Sequence, residues 1–200
     1  MERIKAVHDM RLTSSKAATK AMADIPTLFT EIRQPNSDYL LIPSTSSERR
    51  KYVPIGFIDK DVICGNANLM IPNATLYHLG ILISNVHNAW MRTVCGRLKS
   101  DYRYSAKIVY NNFPWPTVND EQRERIEHTA QAILDARALY PDSSLADLYD
   151  EATMPSELRR AHQDNDRAVM QAYGFPVSRD FTESDCVARL LKLYQQLTAK

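Results

Sequence analysis

Near the middle of the chain stands the stretch Asn111-Asn112-Phe113-Pro114-Trp115-Pro116. Proline lacks a backbone N–H and has a fixed φ angle, so this stretch cannot continue a helix or a central strand. Short β-compatible runs and turn signals precede it, whereas the segments that follow have helical apolar spacing. The sequence therefore predicts an α+β fold, with a small mixed α/β domain over residues 1–116 and an all-α C-terminal helical domain over residues 117–200.

The predicted elements before this stretch are short. Serine residues ahead of an Ala- and Lys-rich run predict an exposed helix over residues 12–22. Apolar residues at spacings of three and four from Thr75 predict one long helix, with Asn73 as its cap and Gly96 as its end. Strands are predicted where β-compatible residues lie between turn signals, at residues 28–33, 38–42, 52–58 and 69–71.

Helix starts after the proline stretch are marked by capping pairs, in which a Ser or Thr is followed three residues later by an acid. A proline suited to a first helical turn, Pro155, marks another start, and Gly174 marks the end of that helix. The capping pairs are Thr117 with Asp120, Ser144 with Asp147, and Thr182 with Asp185.

The composition is that of a globular chain, with 44% hydrophobic and 24% charged residues among 200. The three cysteines, Cys64, Cys95 and Cys186, are odd in number and widely spaced, which favours thiols in a reducing compartment over disulfides. No apolar stretch approaches the ~20 residues of a membrane span, and the first residues lack an apolar signal core. We therefore expect a cytoplasmic protein without membrane contact.

The two parts of the chain differ in charge. Residues 1–117 contain 15 Lys and Arg against 9 Asp and Glu, a net charge of +6, whereas residues 118–200 contain 10 against 15, a net charge of −5. A polyanion is attracted by the first part and repelled by the second. Any nucleic-acid surface is therefore expected before residue 118.

The motifs of common enzyme sites are absent from the sequence. No two of the five glycines lie within three residues of each other, which excludes a P-loop and a Gly-rich loop for a dinucleotide or S-adenosylmethionine. The chain has no acid two positions before a lysine, no Pro-Pro, no C-x-x-C and no G-x-S-x-G. His78 and His87 are nine residues apart on a predicted helix, about 13 Å, so they are not expected to share a metal. We predict no catalytic residue, no metal site and no cofactor in this chain.

One segment partly imitates a catalytic loop. Asn112-Phe113-Pro114-Trp115 is similar to the Asn-Pro-Pro-aromatic loop of amino-methyltransferases, but one proline is replaced. A structural hinge, in which Phe113 and Trp115 pack the two domains together, is the simpler interpretation.

Basic residues are concentrated in two places, together with hydroxyl, aromatic and amide side chains. Lys and Arg pair with phosphates, Arg also recognises guanine, Asn recognises adenine, and Ser and Tyr hydroxyls bond to phosphates or base edges. An alternative is a solvated basic surface whose tyrosines are half-buried against a helix. The candidate DNA-binding residues are Arg49, Arg50 and Lys51 in a polar loop, then Arg97, Lys99, Ser100, Tyr102, Arg103, Tyr104, Ser105 and Lys107, followed by Asn111 and Asn112.

Several long runs resemble one family, the MmeI-like (type IIL) restriction–modification enzymes and their DNA methyltransferase relatives. The resemblance lies in the C-terminal third of those proteins and covers nearly the whole chain. Its runs are SSERRKYVPIGF (46–57), IPNATLYHLGIL (71–82), GRLKSDYRYS (96–105), VYNNFPWP (109–116) and SLADLYD (144–150), with Thr153-Met154-Pro155, Ala161-His162 and Ala172-Tyr173-Gly174.

The resemblance implies a target recognition domain over residues 1–116 and a helical tail over residues 117–200. In the family these follow an adenine-N6 methyltransferase domain, which binds S-adenosylmethionine and carries the catalytic loop. Neither the cofactor-binding loop nor the catalytic loop occurs here, so the resemblance implies an excised fragment or a truncated reading frame. The implied function is sequence-specific recognition of double-stranded DNA in the major groove, by one continuous basic surface, beside an upstream methyltransferase domain.

Two other classes of function stay open on the sequence alone. A structural or protein-interaction module without DNA contact would use Trp90, Trp115 and the apolar face of residues 187–197 to bind a partner. A stand-alone methyltransferase or nuclease would bind S-adenosylmethionine, or would cleave DNA in the presence of magnesium.

Overall fold

The structure, a computed structural model, describes residues 1–199, which form two compact units. The first unit, Met1–Gln34, contains α1 (Glu2–Leu12) and the short α2 (Ala17–Lys20). The helix predicted at 12–22 is therefore largely wrong: α1 lies before it, and only α2 falls inside it. The predicted strand at 28–33 is also wrong, because these residues form bends and irregular backbone.

Arg11 organises the first unit. Its buried guanidinium donates to the carbonyl oxygens of Met22, Ile25 and Leu28, at 2.9, 2.8 and 2.7 Å. Three charge-assisted hydrogen bonds from one side chain compensate for burying the cation and fix the turns that follow α2.

The second unit begins at Pro35 and contains two small antiparallel sheets. The first has the strand order β3-β1-β4, and the second has the order β2-β6-β5. The predicted strands at 38–42 and 69–71 are confirmed, and the one at 52–58 is reduced to its last three residues. The strands are β1 (Tyr39–Pro43), β2 (Thr45–Ser46), β3 (Gly56–Ile58), β4 (Asn68–Pro72), β5 (Gly96–Leu98) and β6 (Asp101–Arg103).

Ser44 connects the two sheets. Its N–H donates to the carbonyl of Ala67, next to β4, at 3.1 Å, and its own carbonyl accepts from the N–H of Tyr104, next to β6, at 2.9 Å. One residue thus transfers the chain from the first sheet into the second. The position of β2 is fixed by this transfer.

The long helix predicted from Thr75 is two helices, α3 (Leu76–Ile83) and α4 (Asn85–Val94). Ser84 is extended between them and caps α4, because its hydroxyl accepts from the N–H of His87. The cap of α3 is Thr75, paired with His78, and not Asn73 as predicted. A serine that can bond to a nearby N–H competes with the helix, which explains the break.

Four helices form the C-terminal part, and most of the predicted starts are confirmed. Ser144 and Thr182 cap α6 and α8 with their predicted acids, and Gly174 follows α7 with a φ of +65°. The start of α5 is different, since Asn119 with Gln122 is its capping pair in place of Thr117 with Asp120. The helices are α5 (Asp120–Ala138), α6 (Leu145–Leu148), α7 (Ser156–Ala172) and α8 (Glu183–Thr198).

One hydrophobic core extends through the second unit, from Leu40 to Leu190, and includes residues on both sides of the proline stretch. Phe113 packs edge-on against His87, with ring centres 4.4 Å apart, and the Tyr173 hydroxyl donates to the Pro114 carbonyl at 2.8 Å. The stretch is thus packed between helices of both parts. The α+β fold class is confirmed, and the division at residues 116 and 117 stays a prediction.

Candidate nucleic-acid interface

The sheet β2-β6-β5 brings together the two basic clusters that the sequence predicts. In it Thr45 of β2 is paired with Arg103 of β6, and Arg97 of β5 with Tyr102 of β6. The loop after β2 carries Arg49, Arg50 and Lys51, and we call it the basic loop. Residues 96–103 form a β-hairpin, which we call the basic hairpin. Segments about fifty residues apart in the sequence are therefore neighbours on one sheet.

The turn of the basic hairpin consists of Lys99 and Ser100, both exposed. Lys99 has a φ of +57°, the left-handed conformation that a two-residue hairpin turn requires. This conformation strains a residue with a Cβ atom, and glycine or asparagine is usual there. A lysine at this position places a cation at the tip of the hairpin.

Asp101, the one acid of the basic hairpin, links it to the basic loop. Its carboxylate accepts a hydrogen bond from the backbone N–H of Glu48, at 3.4 Å. Within the loop, the N–H groups of Arg49 and Arg50 donate to the hydroxyl and carbonyl oxygens of Ser47, at 3.3 and 3.1 Å. The acid therefore orders the neighbouring cationic segment.

Arg97 lies over the ring of its cross-strand partner Tyr102, with 4.0 Å from the guanidinium carbon to the ring centre. Its Nη1 also donates to the Ser100 carbonyl at 2.8 Å. Tyr102 is only 8% exposed beneath this contact. Tyr102 thus supports the Arg97 side chain, and the arginine is the exposed member of the pair.

Arg97 and Arg103 lie on opposite faces of the hairpin, because side chains alternate along a strand and Arg103 follows Tyr102 directly. Arg103 shares its face with Thr45 and Gly96, all of them exposed. The continuous basic surface expected from the sequence is therefore corrected: the cations lie on both faces and at the tip of the basic hairpin. Its strand β6 also pairs with β2, so the hairpin is part of a three-stranded sheet.

Other candidates from the sequence are partly or wholly buried. Tyr104 is in the core, where its hydroxyl is 2.9 Å from Nε2 of His87. Burial lowers the pKa of His87 to about 3 and raises the pKa of Tyr104, so both groups are neutral at neutral pH. Ser105 is half-buried ahead of a π-helical turn, Ala106–Tyr110. Tyr104 is therefore not part of the surface that we propose below.

The π-helical turn carries the remaining candidates. Lys107 and Asn111 are exposed on it, whereas the amide of Asn112 is half-buried and donates to the carbonyls of Lys107 and Ile108 at 3.0 and 3.2 Å. The Asn112 side chain therefore caps the turn with its donor group. Lys107 and Asn111 stay candidates for DNA contact.

The segment after the basic loop is held by contacts that sequence reasoning did not predict. Arg92 donates to the carbonyl of Lys51, and the hydroxyl of Tyr52 donates to Asp166 of α7. One signal was present in the sequence: His162, Asn165 and Asp166 are polar residues at positions of α7 that face the core. Buried polar residues on an apolar stripe indicate specific partners.

The residues named for a protein-interaction module are packed inside this chain only in part. Trp90 is buried, and its Nε1 donates to the Val109 carbonyl at 3.0 Å. Its ring also contacts Tyr194 of α8, with centres 5.9 Å apart. The helix α8 therefore packs on α4 of the same chain, whereas Leu191 and Leu197 of α8 are exposed.

Two further features bear on the kind of site. Within residues 1–199, no three His, Cys, Asp or Glu side chains lie close enough together to hold a metal ion. None of the helices in that range has the length and apolar character to cross a membrane. The chemistry that these residues offer is cationic and hydrogen-bonding.

The small cationic sheet and the acidic helical part match a known class of protein, the target recognition domains with an adjoining C-terminal domain. The family model of the MmeI target recognition domain matches residues 1–117, and that of the MmeI C-terminal domain matches residues 118–200. The chain belongs to this MmeI family. The resemblance seen in the sequence is thereby confirmed.

Two relatives are informative. DNA methyltransferase A of Bacillus subtilis (strain 168) is 38% identical over 200 residues, which are all of this chain and 22% of that protein. The solved structure of the type IIL restriction–modification enzyme MmeI in complex with DNA is 51% identical, has a TM-score of 0.92, and is matched over all of this chain and 26% of that one. The chain thus spans about a quarter of the length of the relatives it matches.

Proposed function

We propose that this chain is the sequence-specific DNA recognition module of a restriction–modification adenine-N6 DNA methyltransferase. Residues 1–116 bind double-stranded DNA, and residues 117–200 support them. The module contributes no catalytic residue and binds no cofactor. S-adenosylmethionine and the target adenine are bound by an upstream methyltransferase domain, in the cytoplasm.

One observation carries this proposal: three cations of the basic hairpin are exposed, and the basic loop follows β2 of the same sheet. These cations are Arg97, Lys99 and Arg103. In a DNA major groove, arginine can form two parallel bonds to guanine and lysine can pair with phosphate. The two relatives described above, a DNA methyltransferase and a restriction–modification enzyme solved in complex with DNA, support the same assignment.

The acidic C-terminal part is suited to a supporting role. Its net charge of −5 repels a polyanion, so DNA is directed to the cationic face of the other part. Its helices α5, α7 and α8 pack on α3 and α4, which precede the basic hairpin. The helical part therefore supports the recognition part through its packing on α3 and α4.

The proposal is tested by measuring binding of the 200-residue chain to a random-sequence duplex library, followed by sequencing of the bound fraction. We expect enrichment of one short motif. On the enriched duplex, log Kd should vary linearly with log salt, with a slope of about 0.9 for each phosphate contact. A chain that enriches no sequence and shows no salt-dependent binding is a structural module, and the proposal is then wrong.

Single charge removals give the sharper comparison. Arg97→Gln and Arg103→Gln should each weaken binding, and a residue that contacts phosphate should lower the salt slope by about 0.9. Lys192→Gln is the matched control, because Lys192 is an exposed cation on α8. If all three variants change the slope equally, the effect is one of overall charge, and the hairpin is not the contact surface.

A further inference from the structure

The last residue of the basic loop and the two residues after it each form a hydrogen bond with a helix side chain. The carbonyl of Lys51 accepts from Nη1 of Arg92 at 3.2 Å. The hydroxyl of Tyr52 donates to Oδ2 of Asp166 at 2.7 Å, and the N–H of Val53 donates to Oδ1 of Asn88 at 3.2 Å. A loop with three anchors at its end has a restricted set of conformations.

Two of these anchors depend on acids in the helical part. Asp166 of α7 is 6% exposed and divides its carboxylate between the Tyr52 hydroxyl and the N–H of Asn85, which is 2.7 Å from Oδ1. Glu183, the first residue of α8, binds Arg92 with two parallel hydrogen bonds of 2.9 and 2.8 Å. Each acid therefore acts on the loop through one intermediate side chain.

Tyr52 is fixed on its other sides as well. Its ring stacks on His162 of α7 with centres 4.1 Å apart, and the ammonium group of Lys51 lies 5.4 Å from the ring centre. The hydrogen bonds of Asp166 within residues 1–199 come from neutral donors, and burial raises the pKa of this carboxyl to about 6. Asp166 therefore joins the segment after the basic loop to the first residue of α4.

We propose that Asp166 and Glu183 are positioning residues, which hold the basic loop in its DNA-binding conformation through Tyr52 and Arg92. The helical part then controls DNA affinity without contacting DNA. This inference rests on the proposed DNA-binding function and assigns its regulation to two acids.

The direction of the change in DNA affinity distinguishes a positioning role from electrostatic repulsion between the acids and DNA. Removing an acid from a protein that binds a polyanion strengthens binding, because one repulsive charge is removed. If Asp166 and Glu183 position the basic loop, their removal weakens binding instead. The two explanations therefore predict opposite changes in Kd.

The test compares Glu183→Gln with Glu151→Gln in the 200-residue chain, by fluorescence anisotropy on the enriched duplex at neutral pH. The two acids are matched, because each pairs with an arginine and their side chains are 54% and 50% exposed. We expect E183Q to weaken binding about two- to fivefold, the scale of one partly exposed ion pair. E151Q should bind as tightly as the wild type or slightly more tightly. Equal or tighter binding by E183Q overturns the inference.

A second pair of variants distinguishes a loss of DNA binding from a loss of folding stability. Tyr52→Phe removes the bond to Asp166 but keeps the stack on His162, and Tyr39→Phe removes the hydroxyl bond of another buried tyrosine, to the carbonyl of Val62 outside the basic loop. Both variants should decrease stability in urea. Only Y52F should weaken DNA binding and lower the salt slope, by about 0.9 for each phosphate that the loop no longer binds. An identical DNA affinity in the two variants contradicts a positioning role.

The final comparison asks whether Tyr52 acts through the basic loop. In a background with Arg49, Arg50 and Lys51 all replaced by serine, Y52F should have no further effect on Kd. A persistent effect shows that Tyr52 acts elsewhere and overturns the inference. If the wild type binds no DNA, the proposed function itself fails and the inference falls with it; if the wild type binds and only these variants behave otherwise, the proposed function stands.

Discussion

The guanidinium carbon of Arg97 lies 4.0 Å from the centre of the Tyr102 ring, and the two residues are direct partners across β5 and β6. The same guanidinium donates to the carbonyl of Ser100. A side chain that is already fixed loses less conformational entropy when it binds a ligand. The pair therefore presents an ordered cation on the basic hairpin.

Replacing Tyr102 tests this arrangement. Tyr102→Leu should weaken DNA binding about two- to fivefold, since it removes a cation–π contact of about 0.5–1 kcal/mol. Tyr102→Phe keeps the aromatic ring and should bind like the wild type in an anisotropy titration. If the phenylalanine variant is as weak as the leucine variant, the hydroxyl of Tyr102 contacts DNA directly, as the sequence suggests.

The close approach of α3 and α5 depends on Gly80. A Cβ atom at this position would lie 2.6 Å from Cγ2 of Ile126 and 3.1 Å from Oδ1 of Asn165. Gly80→Ala should therefore destabilise the chain by about 1–3 kcal/mol, despite the better helix propensity of alanine. Urea unfolding measures the change. Gly96→Ala is the control, because its Cβ would meet no atom within 4 Å, and an equal loss of stability in both variants would contradict the packing argument.

Acid pH affects stability through three buried groups with opposite signs. Burial lowers the pKa of His87 to about 3 and that of His162 well below its usual value, so both histidines contribute stability at neutral pH that is lost as the pH falls. Burial raises the pKa of Asp166 to about 6, although its contact with Tyr52 and the charges of Lys51 and Arg167 act in the other direction. Protonated Asp166 therefore contributes to the free energy of unfolding. This stability is fully present below the unfolded pKa of 3.8 and is lost as the pH rises through about 6.

Asp166→Asn should therefore make the chain more sensitive to acid. As the pH falls from about 6 towards 4, the aspartate gains a proton in the folded state and opposes the destabilisation caused by the histidines. Without it, the slope of the free energy of unfolding against pH should be steeper by about 1 kcal/mol per unit near pH 5. Urea titrations across this pH range, followed by circular dichroism, measure the slope. Parallel curves for the two proteins would show that Asp166 does not titrate in this range.

The first unit depends on one arginine. Arg11→Met keeps an unbranched apolar stem but removes the guanidinium and its three hydrogen bonds to carbonyls at positions 22, 25 and 28. Amide hydrogen exchange in residues 17–28 should become at least tenfold faster, because each bond from a charged donor contributes about 1.5–3 kcal/mol. Lys5→Met is the control, since Lys5 is exposed on the same helix and pairs with Asp9. Unchanged exchange in R11M would refute the role of Arg11.

Sequence patterns predicted the elements whose signals are local. The capping pairs at Ser144 and Thr182 and the glycine after α7 are confirmed because each depends on atoms within a few residues. The break at Ser84 was missed because the apolar spacing continues through it. The helix α1 was missed because it has no clear apolar face. Its buried residue is Arg11, whose guanidinium donates to carbonyl oxygens between residues 22 and 28.

For the candidate site, the sequence identified the cations but not their arrangement. Residue types and charge pointed to residues 49–51 and 97–107, and long similar runs pointed to the family. The pairing of Thr45 with Arg103 joins those clusters, and the alternation along β6 directs Arg103 away from Arg97. Neither relationship has a signature in a single sequence.

The resemblance of long runs indicated the family. The motifs and the charge division by themselves determined the fold class and the cationic character of the first part, because these properties belong to residue types and short spacings. Only the tertiary structure decided that Tyr104 is buried, that the cations lie on both faces of a hairpin, and that Asp166 and Glu183 bind Tyr52 and Arg92 next to the basic loop. Those contacts join residues up to 114 positions apart, and such partners are chosen by packing of the whole core.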